Sequence, residues 1–180
     1  MTRTEHICLM AEYNEWMNAK ICEAAKGLPD QELVADRKAY FGSILGTLNH
    51  LIVGDTIWLN RFATHPANYV SLAVLKNFPI PTALNQQVFA DIRSLSVHRA
   101  LLDETIKSWV HAIADQDLDF VLSYSSMKKA PAKRNFYSLL MHFFNHQTHH
   151  RGQVTTLLSQ AGVDVGGTDM WMVIPNISVA

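Results

Sequence analysis

Residues 139–157 read LLMHFFNHQTHHRGQVTTL, and this stretch decides the predicted fold. Apolar side chains and two histidines recur every three or four residues, the spacing that puts side chains on one face of an α-helix. Asn135 is a residue type that favours the N-terminal cap of a helix, and Gly162 is one that favours the position just beyond the C-terminal end of a helix. We therefore predict an amphipathic helix from Asn135 to Gly162. Its inward face comprises Leu139, Phe143, His146, His150, Val154, Leu157 and Ala161.

Three other segments have the same period, and we predict helices over about Glu5–Lys26, Ser43–Ala63 and Asn85–Ala114. Prolines at 66, 79 and 81 indicate a long connection over residues 66–84. Alternation within residues 120–124 predicts a short hairpin or extended loop before the last helix. Four amphipathic helices bury their apolar faces most simply against one another. We therefore predict an all-α four-helix bundle, formed by a single domain over residues 1–180.

Two further predictions concern the C-terminal tail and the two cysteines. The tail after Gly166 contains Trp171, Met172, Val173 and Ile174, so we expect it to pack against the helices. Cys8 and Cys22 lie 14 residues apart in one predicted helix, a separation of about 21 Å along its axis. A disulfide needs Cα atoms within about 7 Å, so both thiols are expected to be reduced.

Composition and charge exclude several classes of protein. The net charge is −1, whereas nucleic-acid-binding domains usually carry a basic excess on one face. The basic residues near 128–134 are interrupted by Ala-Pro-Ala and predict a solvated loop. No apolar run of about 18 residues occurs, and the N-terminus does not resemble a secretory signal. We therefore expect a cytoplasmic protein that binds neither nucleic acid nor a membrane.

The histidines of the last helix are the strongest functional signal. His146 and His150 are four residues apart on the inward face, where two imidazoles can bind one zinc-like ion. His142 and His146 have the same spacing, but that pair would turn the site toward the edge of the helix. The alternative without metal is two core histidines satisfied by hydrogen bonds. The roles of His142 and His149 stay open.

A third ligand is expected from another helix, because two imidazoles seldom hold a divalent ion tightly. The inward-facing candidates are His50 and Asp55 on the second predicted helix and His98 and His111 on the third. Small residues around His50, including Gly54, leave room for an imidazole, although His50 lies at the margin of its helix's apolar face. The residues alone leave this choice open.

Three blocks of the sequence resemble the DinB-like family, which is related to metal-dependent thiol S-transferases and maleylpyruvate isomerases. Glu12–Ala19 is similar to the family's first-helix signature, and Leu48–Phe62 to the second-helix block, where a histidine supplies one ligand. Asn145–Gln153 is similar to the last-helix block, which supplies two more. The resemblance implies that His50 joins His146 and His150 as a ligand. It also implies a bundle with a long crossover connection, and a homodimer.

A three-histidine site is typical of catalytic metal centres, because structural zinc is normally closed by four protein ligands. The open position can lower the pKa of bound water or bind a thiolate. We expect one divalent ion, zinc or nickel, and a metal-dependent enzyme of the thiol S-transferase, isomerase or hydrolase type. Its substrate would be a small molecule, with a low-molecular-weight thiol as the candidate. The alternative is a non-catalytic metal-binding stress-response protein.

Further polar residues are candidates for orienting the imidazoles or contacting metal-bound water. Asp55 and Gln153 are the main ones, and Asn49 is another. For Asp55 the alternative is a buried contact with Arg61 or Arg99. For Gln153 the alternative is an ordinary polar position on the helix.

Overall fold

The computed structural model describes residues 1–177 and is mostly helical, as the sequence predicts. Its α-helices are α1 (Arg3–Lys26), α2 (Asp30–Val34), α3 (Ile44–Phe62), α4 (Ile92–His111) and α5 (Phe136–Gln160). The predicted hairpin is confirmed as two antiparallel strands, β1 (Val121–Ser125) and β2 (Pro131–Asn135). Short 3-10 helical segments cover Val70–Asn77, Asp115–Asp119 and Met170–Val173.

Each long helix begins at a side chain that caps it, which fixes where the helix starts. In α1, the Thr2 hydroxyl accepts from Glu5 N while the Glu5 carboxylate accepts from Thr2 N, so two otherwise unpaired backbone donors are satisfied. At the other end of α5, Gly162 adopts a φ of +80°, the left-handed conformation in which glycine ends helices. The caps of the remaining long helices are Ser43, Asp91 and Asn135.

The long helices share one core. α1 packs against α4 and α5, and α3 packs against the same two helices. Burying a large apolar side chain contributes about 1.5–3 kcal/mol, and these contacts bury many of them. The largest fully buried side chains include Trp109, Phe62, Phe136, Phe143 and Phe144. The hairpin lies between α4 and α5 in sequence, and its Leu122 side chain is buried in the same core.

The predicted start of the third long helix is wrong. The prediction placed it at Asn85, whereas α4 begins at Ile92 and ends at His111. Residues 85–91 instead lie against α3, because the Asn49 side-chain oxygen accepts hydrogen bonds from the backbone N–H groups of Val88 and Phe89, both at 2.8 Å. Those donors are therefore engaged outside the helix, and Asp91 caps the helix that follows.

The C-terminal segment follows the prediction only in part. Tyr13 donates to the Thr168 carbonyl, and Lys20 donates to the Gly167 carbonyl, both at 2.7 Å. Val173 packs against the core, but Trp171 is 70% exposed. Met172 and Ile174 are exposed as well, and residues 178–180 of the predicted tail lie outside the described residues.

Two other predictions can be compared with the structure. Cys8 and Cys22 are both free, as expected from their separation. Within residues 1–177, no helix combines the length and the apolar character needed to cross a membrane.

Candidate metal centre

Three imidazoles converge between α3 and α5. His50 Nε2 lies 3.2 Å from the Nε2 atoms of both His146 and His150, and the three potential ligand atoms lie within 4.8 Å of one another. Two nitrogen ligands at about 2.0–2.1 Å from one tetrahedral zinc ion would be about 3.3–3.4 Å apart. The observed separations suit a shared ion. The structure thus brings together the three histidines predicted as ligands.

Local sequence explains why these side chains meet. His146 and His150 are one turn apart on α5 and project from one face. Ser43 starts α3 by accepting from Gly46 N at 3.0 Å, and His50 follows about two turns later. A Cβ on Gly54 would lie 2.9 Å from Cε1 of His146, so α3 can approach that ring closely only because residue 54 is glycine.

Hydrogen bonds fix the tautomers of two of the histidines. His50 Nδ1 lies 2.8 Å from the Leu84 carbonyl oxygen, and His150 Nδ1 lies 2.7 Å from Gln153 Oε1. Both oxygens only accept, so each Nδ1 carries the hydrogen. In the neutral rings each Nε2 then carries no hydrogen and presents its lone pair. Two lone pairs facing each other at 3.2 Å repel unless a cation lies between them.

An aromatic ring covers one side of this pair. Phe41 stacks on His50 with ring centroids 3.8 Å apart and meets His150 edge-on at 5.6 Å. It precedes Gly42, whose φ of +76° is in the region that glycine favours and allows the turn into α3. His50 and His150 are therefore only 5% and 9% exposed. Sequence reasoning missed Phe41 and Leu84, because both lie in irregular segments without a period.

Electrostatics disfavour protonation of the cluster. Burial, followed by repulsion from the other histidines, lowers the pKa of His146 to about 3. Burial also lowers the pKa values of His50 and His150. Neutral imidazole is the form that binds metal. The pocket therefore holds these three rings in a form that is ready to bind a metal ion.

The remaining candidate histidines lie outside the cluster. His142 is exposed, with its ring centroid 6.0 Å from that of His146, and His149 is exposed beside His150. His98 packs against Phe78 and Phe89, and His111 Nδ1 lies 3.6 Å from Cys8 Sγ. Within residues 1–177, no second set of three histidine, cysteine or acidic side chains brings its ligand atoms this close.

Asp55 lies in a buried polar network beside the cluster. Its carboxylate accepts from Arg99 Nη1 at 2.5 Å and from Gln147 Nε2. Arg99 also pairs with Asp103, which accepts hydrogen bonds from Asn14 and Asn18 at 3.0 and 2.9 Å. Arg151 joins through Asn14. Gln147 and Arg151 each follow a candidate ligand directly, so the network holds α5 in the rotation that turns His146 and His150 toward α3.

The structure separates the other polar candidates by their contacts. Gln153 contacts His150 directly. Asp55 contacts Arg99 rather than Arg61 and makes no hydrogen bond to an imidazole within the described chain. Asn49 binds residues 87–89 and so holds the segment that carries the Leu84 carbonyl near His50. Sequence reasoning missed Gln147, which reads as one more polar residue in a polar stretch.

This arrangement could supply three nitrogen donors to one ion. Imidazole sets suit zinc, nickel, copper and iron. For a four-coordinate ion, three protein donors leave one position for an exchangeable ligand, the pattern of catalytic zinc sites.

Comparisons with known proteins identify a family. A family model described as the DinB family matches residues 1–175. The chain is 27% identical over 159 residues to Protein DinB of Bacillus subtilis (strain 168), covering 88% of this chain and 87% of that protein. It is 36% identical over 131 residues to Uncharacterized protein YrdA of the same organism, covering 67% of this chain and 71% of that protein. No solved structure gives a significant match.

Proposed function

This chain belongs to the DinB family, and we propose that it binds one divalent metal ion through His50, His146 and His150 and uses that ion in catalysis. The observation that carries the proposal is the pair of Nε2 lone pairs that face each other at 3.2 Å, with both Nδ1 hydrogens held by protein oxygens. A divalent cation removes that repulsion, and burial lowers the pKa values of His50 and His150, which makes a proton shared between them a poor substitute.

The proposed reaction is the transfer of a low-molecular-weight thiol to an electrophile, or a related isomerisation or hydrolysis. When bound, the ion supplies Lewis-acid chemistry, which favours ionisation of a thiol or water molecule near neutral pH. The protein keeps the donor nitrogens aimed through Leu84 and Gln153. Phe41 covers one side of the site, so ligands must approach from elsewhere.

Zinc or nickel is the proposed ion, because three imidazoles suit both. The four long helices are taken as a four-helix bundle in which residues 63–91 form the long crossover connection. We also propose that the protein is cytoplasmic, acts on a small-molecule substrate and forms a homodimer. Light scattering of the purified protein tests the dimer.

The test is thiol consumption by untagged protein loaded with zinc, nickel or manganese. Glutathione is mixed with 1-chloro-2,4-dinitrobenzene, so that a sulfur–carbon bond replaces the carbon–chlorine bond while chloride and a proton are released. We expect metal-dependent turnover in the wild type and in His149→Ala, whose ring lies outside the triad. His50→Ala and His150→Ala should fall to the uncatalysed rate. Absence of turnover with every metal and with other thiols would rule out the thiol-transfer proposal.

A second candidate function is a non-catalytic metal site that stabilises the fold. The burial of His50 and His150 under Phe41 favours it, because structural sites are closed to exchange. This alternative predicts that a chelator lowers the melting temperature while the loaded protein neither turns over thiol nor exchanges a ligand on the ion.

A further inference from the structure

Arg61, near the end of α3, is a cation packed against two aromatic rings that also contact each other. Its Cζ lies 4.5 Å from the centroid of the Trp58 ring and 4.9 Å from that of Tyr124, which are cation–π distances. One of its five N–H groups donates to the Ser125 carbonyl at 3.1 Å. The guanidinium is therefore held in one place, with most of its donors still available.

No acidic side chain within residues 1–177 forms an ion pair with Arg61. Arg3, Arg37 and Arg99, by contrast, are each paired with a carboxylate. Burial lowers the pKa of Arg61 below its ordinary value, because a partly buried cation loses some of its hydration. Such a cation gains more from binding an anion than a fully hydrated lysine does.

The hairpin beside Arg61 carries the same sign of charge. Residues 121–135 contain four lysines and arginines and no acidic residue, so they carry +4. The whole chain has a net charge of −1, so the remaining residues carry −5. Arg134 and Tyr124 lie on the same face of the hairpin by register. This concentration of positive charge attracts small anions toward Arg61.

Arg61 is contiguous with the metal centre. Gly54, Trp58 and Arg61 recur at i, i+4 and i+7 on one face of α3, and Gly54 is the residue that the His146 ring approaches. Seven residues of helix place the Cα of Arg61 about 10 Å along the axis from that of Gly54. His142 lies between Trp58 and the metal centre, with its ring centroid 5.1 Å from that of Trp58 and 6.0 Å from that of His146.

We propose that Arg61 is the anion-recognition residue of the metal site, and that the substrate carries a carboxylate or phosphate group apart from the atom that reaches the histidines. The inference rests on the proposed function and adds the chemical class of the substrate. A peptide thiol, or another thiol that carries a separate acidic group, has this chemistry. Neutral thiols such as 2-mercaptoethanol would bind without this contact.

The first experiment measures anion binding separately from metal chemistry. Untagged 15N-labelled protein is titrated with succinate and with inorganic phosphate, and the indole N–H signal of Trp58 is followed. We expect a saturable shift in the wild type and in His150→Ala. Binding should weaken about tenfold or more in Arg61→Met, because a charge-assisted hydrogen bond is lost. Arg61→Lys should be intermediate, and Arg93→Met, an exposed arginine on α4, should match the wild type. The anion that binds more tightly shows whether the site prefers a carboxylate or a phosphate group.

The second experiment tests whether a thiol ligand of the zinc-loaded protein also contacts Arg61. Calorimetry compares glutathione with its diethyl ester on the zinc-loaded protein. We expect the ester to bind about tenfold more weakly to the wild type, and this preference to vanish in Arg61→Met while the zinc content is unchanged. If Arg61→Met keeps the wild-type anion affinity, or if a short oligonucleotide binds more tightly than both anions at about 0.15 M salt, the proposal is wrong. If anions bind at Arg61 but no variant or wild type holds metal, the proposed function fails and anion recognition stands.

Discussion

At the scale of single residues, His50 and His150 each present one ring nitrogen to the candidate metal centre. Each donates its Nδ1 hydrogen to a protein oxygen, which leaves Nε2 free to bind a cation. His146 completes the set because Gly54 leaves room for its ring. Gly54 contributes by lacking a side chain, because a single added methyl group at that position would occupy the space of the His146 imidazole.

Gly54→Ala should therefore weaken metal binding. The new Cβ would lie 2.9 Å from His146 Cε1, so the ring must move away from the other two nitrogens. We expect metal affinity, measured by competition with a chromogenic chelator, to fall by about tenfold or more. The matched control is Gly152→Ala, because no atom lies within 4 Å of its added Cβ. The control should keep its affinity and gain up to about 1 kcal/mol of stability from helix propensity. Equal affinities in the two variants would contradict this account of Gly54.

At the scale of elements, the segment before α4 shows what periodicity can and cannot predict. The shared inward face of His146 and His150 on α5 was predictable, because four-residue spacing on an apolar face is a local property. His50 required the family resemblance, since its position on α3 is at the edge of the apolar face. Periodicity did not show that residues 85–91 lie outside α4, because the hydrogen bonds of Asn49 join residues about 40 apart in sequence. The local signal for the observed start was the N-cap Asp91. From the sequence, Arg61 was considered only as a partner of Asp55, because its contact with Tyr124 joins α3 to a strand far along the chain.

Asn49→Ala tests the role of that long-range contact. The substitution removes the acceptor of Val88 and Phe89 and the donor to the Phe89 carbonyl. Buried groups left without partners cost about 1–3 kcal/mol each, and the Leu84 carbonyl loses its support near His50. We expect chemical denaturation to show a loss of about 2–4 kcal/mol, accompanied by weaker metal binding.

The control for Asn49→Ala is Asn60→Ala on the same helix. The Asn60 side chain makes one hydrogen bond, to the Thr56 carbonyl in its own helix, so its loss should cost about 1 kcal/mol or less. If both variants lose the same stability and neither loses metal affinity, Asn49 does not hold the segment as described.

At the scale of the whole molecule, the buried polar network connects all four long helices. Asn14 and Asn18 come from α1, Asp55 from α3, Arg99 and Asp103 from α4, and Gln147 and Arg151 from α5. Burial alone would lower the pKa of Arg99, but the charges and hydrogen bonds of Asp103 and Asp55 outweigh it and raise that pKa. The network therefore links the packing of the helices to the orientation of His146 and His150.

Arg99→Met should destabilise the fold in a pH-dependent way. Two buried carboxylates would lose their cation, and breaking a buried pair typically costs about 3–5 kcal/mol. Burial already raises the pKa of Asp103 to about 6, and without Arg99 that pKa should rise further. A carboxyl whose folded pKa exceeds its unfolded value of about 3.9 loses stability as pH rises through the folded value.

The loss of stability in Arg99→Met should thus be larger at pH 8 than at pH 5, which urea denaturation at both values measures. Arg93→Met on the exposed face of α4 is the control and should change stability little at either pH. A loss that is independent of pH would mean that the aspartates are not left charged in the variant.

The central claim is that imidazoles from α3 and α5 bind one ion together, and metal analysis of untagged protein tests it most directly. Wild type and variants are loaded with zinc or nickel, dialysed, and measured by inductively coupled plasma mass spectrometry. We predict one ion per chain in the wild type and in His149→Ala, and almost none in His50→Ala and His150→Ala. Wild-type metal content in either triad variant, or no metal in the wild type, would contradict the claim.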